Sequence, residues 1–224
     1  MTSTDASSFS KSDIGEWSKR LGREIGGLRG FVTTHRWRIV PFDRILPLLD
    51  KAKKPEVFDI GGGEGLLLFL AERAGALSRG LCVDASERNI RVGTKALSAA
   101  GADAIELSCT AAIEDWPDRE FDVVTMIDVL HHIPPALQRS FIDEAAARVR
   151  PGGLLIYKDM ADSPFWMAEA NRLHDLVLAQ QWINYAPMES VCEWLGEKSF
   201  VQEHDETIDL FWYRHELRVF RRPA

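Results

Sequence analysis

The stretch PEVFDIGGGEGL, from Pro55 to Leu66, limits the fold more than any other part of the chain. Val57, Phe58 and Ile60 are apolar, partly β-branched and bounded by Pro55 and the glycines, which predicts a short buried strand. From Glu64 to Ala74, the residues Leu66, Leu67, Phe69, Leu70 and Ala74 form a mostly apolar run that stops at Gly75, with Glu72 and Arg73 near its close, which predicts a helix. A strand, a glycine turn and a helix N-terminus leave backbone N–H groups pointing outward, and glycine has no Cβ to keep a ligand away. The turn is therefore expected to bind a small molecule.

Downstream, strands and helices alternate as in a doubly wound α/β sheet. GLCVDAS (80–86) predicts a second strand, ERNIRVGTKALSAAG (87–101) a helix, AIELSC a third strand and Phe121 to Ile127 a fourth. Pro134 and Pro135 open a helix that places Leu137, Phe141, Ile142, Ala145 and Val149 on one face, and PGGLLIYKDM is a turn with a fifth strand. Beyond it the alternation breaks. SPFWMAEANRLHDLVLAQQW predicts an inserted helix, PMESVCEWLGEKSF another, and the remainder two long strands around Phe211 to Tyr213. Upstream, residues 1–53 are expected to form a helical segment, with Ser10 and Asp13 as a capping box and Pro41 and Pro47 cutting it into pieces. Its HRWRIVPFDRILPLL stretch mixes Arg36, Arg38 and Arg44 with Trp37, Phe42 and Ile45, and reads as an amphipathic helix on the domain, a lid over a site, or both.

Composition narrows the ligand. At 224 residues and 46% hydrophobic, the chain can bury the core of one domain. A net charge of −7 argues against a broad grip on nucleic acid. Cys82, Cys109 and Cys192 lie far apart with no C-x-x-C, and read as buried thiols in a reducing compartment rather than as metal ligands or disulfides. The first residues, MTSTDASSFSKSD, lack an apolar signal core, and no stretch has the ~20 apolar residues of a membrane helix, so a cytoplasmic protein is expected.

The glycine spacing separates two nucleotide readings. G-x-G-x-x-G would need glycine at 66 or 68, where Leu66 and Leu68 stand. That disfavours a nicotinamide dinucleotide. Asp59 instead precedes G-x-G-x-G at Gly61, Gly63 and Gly65, and Asp84 follows nineteen positions after Gly65, at the end of the second strand. An acidic side chain there can accept hydrogen bonds from both hydroxyls of a ribose. A nucleoside-like ligand fits the combination.

At this point the chain resembles the class I S-adenosylmethionine-dependent methyltransferases. VFDIGGGEG is similar to their first motif, LCVDAS to the acidic end of their second strand, FDVVTMIDVLHHI to their fourth-strand motif and RVRPGGLLIYKDM to their fifth-strand motif. The resemblance runs in order from about residue 55 to 160 and continues loosely to the end. It implies a Rossmann-like fold with a C-terminal antiparallel hairpin and a domain over 54–224, covered by the N-terminal segment and an insert at about 163–186. It implies S-adenosylmethionine held by Asp59, Gly61, Gly62, Gly63, Gly65, Asp84, Ala85, Ala112, Ile113 and Ile127. Asp59 would meet the cofactor's ammonium group and Asp84 the ribose. Ala112 stands where many members carry an aspartate for the adenine amino group, which leaves adenine to backbone near Ala111 to Ile113, to packing on Ile113, or to Glu114.

In such enzymes a nucleophile attacks the sulfonium methyl in line, and alignment alone is worth roughly 7–11 kcal/mol. A general base is needed only for an acceptor whose proton has a high pKa. Candidates at strand ends are Asp128, His131 and His132 after the fourth strand and Asp159, beside Lys158, after the fifth; His132 is the favoured base. Each has a plain alternative: packing for the histidines, cofactor contact for Asp128, a cap or a partner of Lys158 for Asp159. Asp128, His132 and Asp159 could ligate a metal, but their spacing matches no metal signature, and none is expected. Phe165, Trp166, Trp182 and Tyr185 with Arg172, His174 and Asp175 would furnish the acceptor pocket, although helix packing accounts for most aromatics in such a segment. The arginines leave an acidic or phosphorylated acceptor open against a solvated charged face. The reading is methyl transfer to oxygen or nitrogen of a small molecule. RNA or protein acceptors, or a non-catalytic S-adenosylmethionine-binding partner, are the alternatives.

Overall fold

The computed structural model describes residues 10–110, 112–161, 184, 186–210 and 213–224. They form a seven-stranded α/β sheet in the order β3-β2-β1-β4-β5-β7-β6. β1 (Glu56–Ile60), β2 (Arg79–Asp84) and β3 (Ile105–Cys109) pair in parallel, Phe58 opposite Leu81 and Leu81 opposite Glu106. β5 (Val149–Met160), β7 (Tyr213–Arg221) and β6 (Val201–Leu210) pair antiparallel, Met160 opposite His215. The expected mixed sheet with a C-terminal antiparallel hairpin is present. Two compact units meet between Val123 and Val124, inside β4 (Phe121–Ile127).

In the first unit, α4 (Leu66–Arg73) buries six successive residues, Leu66 to Ala71. A helix apolar all round needs cover on every side. On one side it presses on β2, where a Cβ at Gly80 would stand 2.8 Å from Leu68 Cδ1. On another, Phe69 meets Trp17 of α1 (Lys11–Ile25) edge-on, with centroids 6.1 Å apart. Leu68 is fully buried, so truncating it to alanine would cost about 2–5 kcal/mol. Under the strands, Phe58 stacks on Phe121 at 4.9 Å and meets Trp116 edge-on at 5.9 Å.

The N-terminal segment is helical as expected, and the Ser10–Asp13 capping box opens α1. α2 (Gly27–His35) crosses α1 where glycine meets glycine: a Cβ at Gly30 would lie 2.1 Å from the Gly22 carbonyl oxygen. One expectation fails. Pro47 does not cut the segment but sits inside α3 (Phe42–Asp50), whose Ile45, Leu46, Leu48 and Leu49 are all buried. Apolar packing on both sides of the proline outweighs the one hydrogen bond it removes.

In the second unit, α6 (Pro135–Ala147) starts at Pro135 as expected, and α7 (Met188–Glu197) precedes the hairpin. Leu137 is 51% exposed rather than facing the core, because α6 buries Gln138, Ile142, Ala145 and Ala146 instead. Of the three cysteines only Cys82 is buried. Cys109 ends the edge strand β3 and Cys192 lies half-buried on α7, which the sequence pattern alone does not distinguish. Across the hairpin, Arg214, Arg218 and Arg221 of β7 pair with Asp209, Asp205 and Glu203 of β6. The inserted helix and its aromatic and basic residues lie outside the described residues, as do Ala111 and Phe211.

Candidate active site

The glycine turn after β1 is set by two steric demands. Gly62 has no room for a side chain: a Cβ would stand 2.1 Å from Asp59 Oδ2 and 2.8 Å from Cys82 Sγ. Gly65 takes the left-handed conformation, φ 81°, that turns the chain into α4. Asp59 is 1% exposed beneath the turn. Burial, and then the charges of Asp59 and Asp84, push the Cys82 thiol well above its ordinary pKa.

At the end of β2, the half-buried Asp84 faces the same turn. Its Oδ2 accepts from the Gly63 N–H at 3.0 Å, and its Oδ1 from the Ser86 N–H at 2.8 Å and Asn89 Nδ2 at 3.2 Å. Above Gly63 there is open space, since a Cβ there would meet nothing nearer than Asn89 Nδ2 at 4.0 Å. A carboxylate oriented by three donors beside an open glycine cradle suits a ligand with vicinal hydroxyls. Ala85 is exposed; Ala112, also exposed, accepts the Asp115 N–H at 3.2 Å to close the 3-10 turn Ile113–Asp115, where Ile113 is half-buried and Glu114 exposed.

The second unit gathers charge at the ends of its strands. Ile127, 9% exposed, ends β4, and Asp128 then adopts φ 57°, a left-handed geometry tolerated best by glycine, asparagine and aspartate. Its N–H donates to the Lys158 carbonyl at 2.8 Å, and Lys158 Nζ returns a bond to Asp128 Oδ1 at 2.5 Å. Lys158 is fully buried. Burial would raise the pKa of Asp128, but Lys158, His215 and His131 outweigh it and hold the carboxyl below the usual carboxylate range.

His131 Nδ1 lies 2.5 Å from Asp159 Oδ1, and Asp159 also accepts the N–H groups of His131 and Met160 and the Tyr157 hydroxyl. Burial and then the Asp159 charge push the Tyr157 phenol well above its ordinary pKa. Gln138 of α6 donates to the carbonyls of Leu130 and Ile133, which pins the 3-10 turn carrying both histidines. His132 is exposed, its ring 4.0 Å from that of His131. Asp128, His131 and Asp159 bring donor atoms within 4.8 Å of one another, so His131, not His132, completes the trio weighed as a metal set. The Lys158 ammonium beside Asp128 disfavours a cation there.

The Methyltransferase domain family matches residues 34–202, three quarters of the chain. The chain belongs to the class I S-adenosylmethionine-dependent methyltransferases. It is similar to a ubiquinone biosynthesis O-methyltransferase of Bradyrhizobium sp. (strain ORS 278), 33% identical over 51% of this chain and 44% of the relative. It is also similar to a 27-O-demethylrifamycin SV methyltransferase of Amycolatopsis mediterranei, 31% identical over 60% of this chain and 50% of the relative. The chain thus spans about half the length of the curated relatives it matches. Among solved structures, the N-methyltransferase NodS of Bradyrhizobium japonicum with S-adenosyl-L-homocysteine shares the fold, with a TM-score of 0.63 at 20% identity over 92% of this chain and 98% of that one.

In this methyltransferase the structure adds residues that sequence reading missed. Arg29 of α2 donates from Nη1 to Glu64 Oε1 at 2.8 Å and also to Asn89 Oδ1. His215 of β7 adds positive charge near Asp128. The signal for both is tertiary: no spacing rule links residues 35, 60 or, for Asp128 and His215, 87 positions apart.

Proposed function

We propose that this chain transfers a methyl group from S-adenosylmethionine to an oxygen or nitrogen of a small-molecule acceptor. The observation that carries the reading is the Asp84 carboxylate, oriented by Gly63, Ser86 and Asn89 beside the open face of Gly63. Gly61, Gly62, Gly63 and Gly65 would line the cofactor, Asp84 would take the ribose hydroxyls and Asp59 the ammonium end. Ala85, Ala112 and Ile113 follow as the rim in the same unit. When bound, S-adenosylmethionine supplies an electrophilic sulfonium methyl.

For an acceptor that must lose a proton, the second unit offers His131 with Asp159. The carboxylate accepts from Nδ1–H, so the Nε2 lone pair is the basic one. The relatives, a ubiquinone biosynthesis O-methyltransferase and a 27-O-demethylrifamycin SV methyltransferase, support this acceptor class. Calorimetry with S-adenosylhomocysteine and NADH tests the cofactor: tight binding of the first and none of the second is expected. Release of S-adenosylhomocysteine across a panel of phenols, hydroxy acids and amines tests the acceptor. Turnover of RNA or protein alone would overturn it.

A further inference from the structure

Arg29 reaches the glycine turn from a helix outside the motifs of the nucleotide fold. Its single Nη1 bridges Glu64, inside the turn, and Asn89, on the first turn of α5 (Glu87–Ala99). Asn89 bonds Asp84 directly, and Glu64 follows Gly63, whose N–H also bonds Asp84. α5 packs against the turn itself, since a Cβ at Gly93 would stand 2.8 Å from Glu64 Cα.

The amide of Asn89 has one acceptor and two donors. Its oxygen takes the Arg29 N–H, which turns its nitrogen to Asp84 Oδ1 at 3.2 Å. Asp84, which only accepts, and Arg29, which only donates, therefore hold the amide in one orientation between them. Arg29 also places a positive charge beside Glu64, in the same turn as the Gly63 N–H that binds Asp84. The tight α1–α2 crossing at Gly22 and Gly30 fixes the helix that delivers it.

We propose that Arg29 is a positioning residue for the cofactor, acting through Asn89 and Glu64 to hold Asp84 and the Gly63 cradle ready for the ribose. The N-terminal hairpin of α1 and α2 is then part of the cofactor site rather than only an outer cover. The proposal rests on Asp84 as the ribose acceptor.

The test is calorimetry with S-adenosylhomocysteine on wild type, Arg29→Ala, Asn89→Ala, the double variant, Arg29→Lys and Asp84→Ala, with the thermal midpoint of each unliganded protein. Arg29→Ala is expected to weaken binding about three- to thirtyfold, part of the effect of a charge-assisted hydrogen bond, because the arginine acts through Asn89 and Glu64. The double variant should be little weaker than the poorer single, because both break the same chain of contacts. Arg29→Lys should recover part of the loss with a single charged nitrogen, and the midpoints should stay close to wild type. Unchanged or tighter binding in Arg29→Ala, or losses that multiply in the double variant, overturns the proposal. If Asp84→Ala binds more weakly than wild type while Arg29→Ala binds as tightly as wild type, Asp84 keeps its role and only the role of Arg29 falls. If wild type itself fails to bind, both fall.

Discussion

His131 Nδ1 lies 2.5 Å from Asp159 Oδ1, and the two side chains are 2% and 7% exposed. A carboxylate so placed fixes the tautomer of the ring. Asp159→Asn is expected to lower kcat on a hydroxyl acceptor by ~10²–10⁴ and to leave the S-adenosylhomocysteine Kd almost unchanged. His131→Ala should match it, because Asp159 stands behind its ring, and His132→Ala should do less. Steady-state kinetics with the affinity measured in parallel separates the two histidines; a larger loss in His132→Ala reverses the assignment.

Asp128→Asn keeps the left-handed backbone but removes a charge from the fully buried Lys158. A loss of about 3–5 kcal/mol in urea unfolding at neutral pH is expected. The sign in pH follows from the lowered pKa of Asp128 in the fold. Its contribution is present above the unfolded value of ~3.9 and fades as pH falls through the lower folded value. The gap between variant and wild type should therefore narrow in acid, and a gap that widens there would contradict the pairing.

Gly62→Ala drives a methyl toward Asp59 Oδ2 and Cys82 Sγ, both held in the core. About 1–3 kcal/mol of stability should be lost, with weaker S-adenosylhomocysteine binding in the protein that still folds. Thermal unfolding and calorimetry on one preparation read both. An unaffected protein would mean that Asp59 yields easily.

Asp84→Ala removes the acceptor of three hydrogen bonds at once. Binding of S-adenosylhomocysteine should weaken by about 1–3 kcal/mol. An equal loss in Asp84→Asn would show that the site needs the full carboxylate, its charge and both acceptor oxygens; retention there would show that one acceptor oxygen suffices.

What could be read from the chain was local. Alternating apolar runs, Pro135 at a helix start, glycines after β1 and an acid at the end of β2 each declare themselves within a few residues. Pro47 misled because its cost is local while the packing of Leu46, Leu48 and Leu49 that tolerates it is not. Arg29 was illegible for the same reason, with partners 35 and 60 positions away. The histidine pair was placed correctly at a strand end. That Asp159 meets His131 depends on the twist of the 3-10 turn pinned by Gln138, and no periodicity encodes that twist.

Among the described residues, the arginine-bearing hairpin closes the sheet at β6, an edge strand of the kind with which a neighbouring chain can pair. Its guard is a row of carboxylates, Glu203, Asp205 and Asp209, each engaged with an arginine of β7. That guard is ionic, so salt that screens it should promote self-association of the purified chain at this margin, and lowering the salt should reverse it.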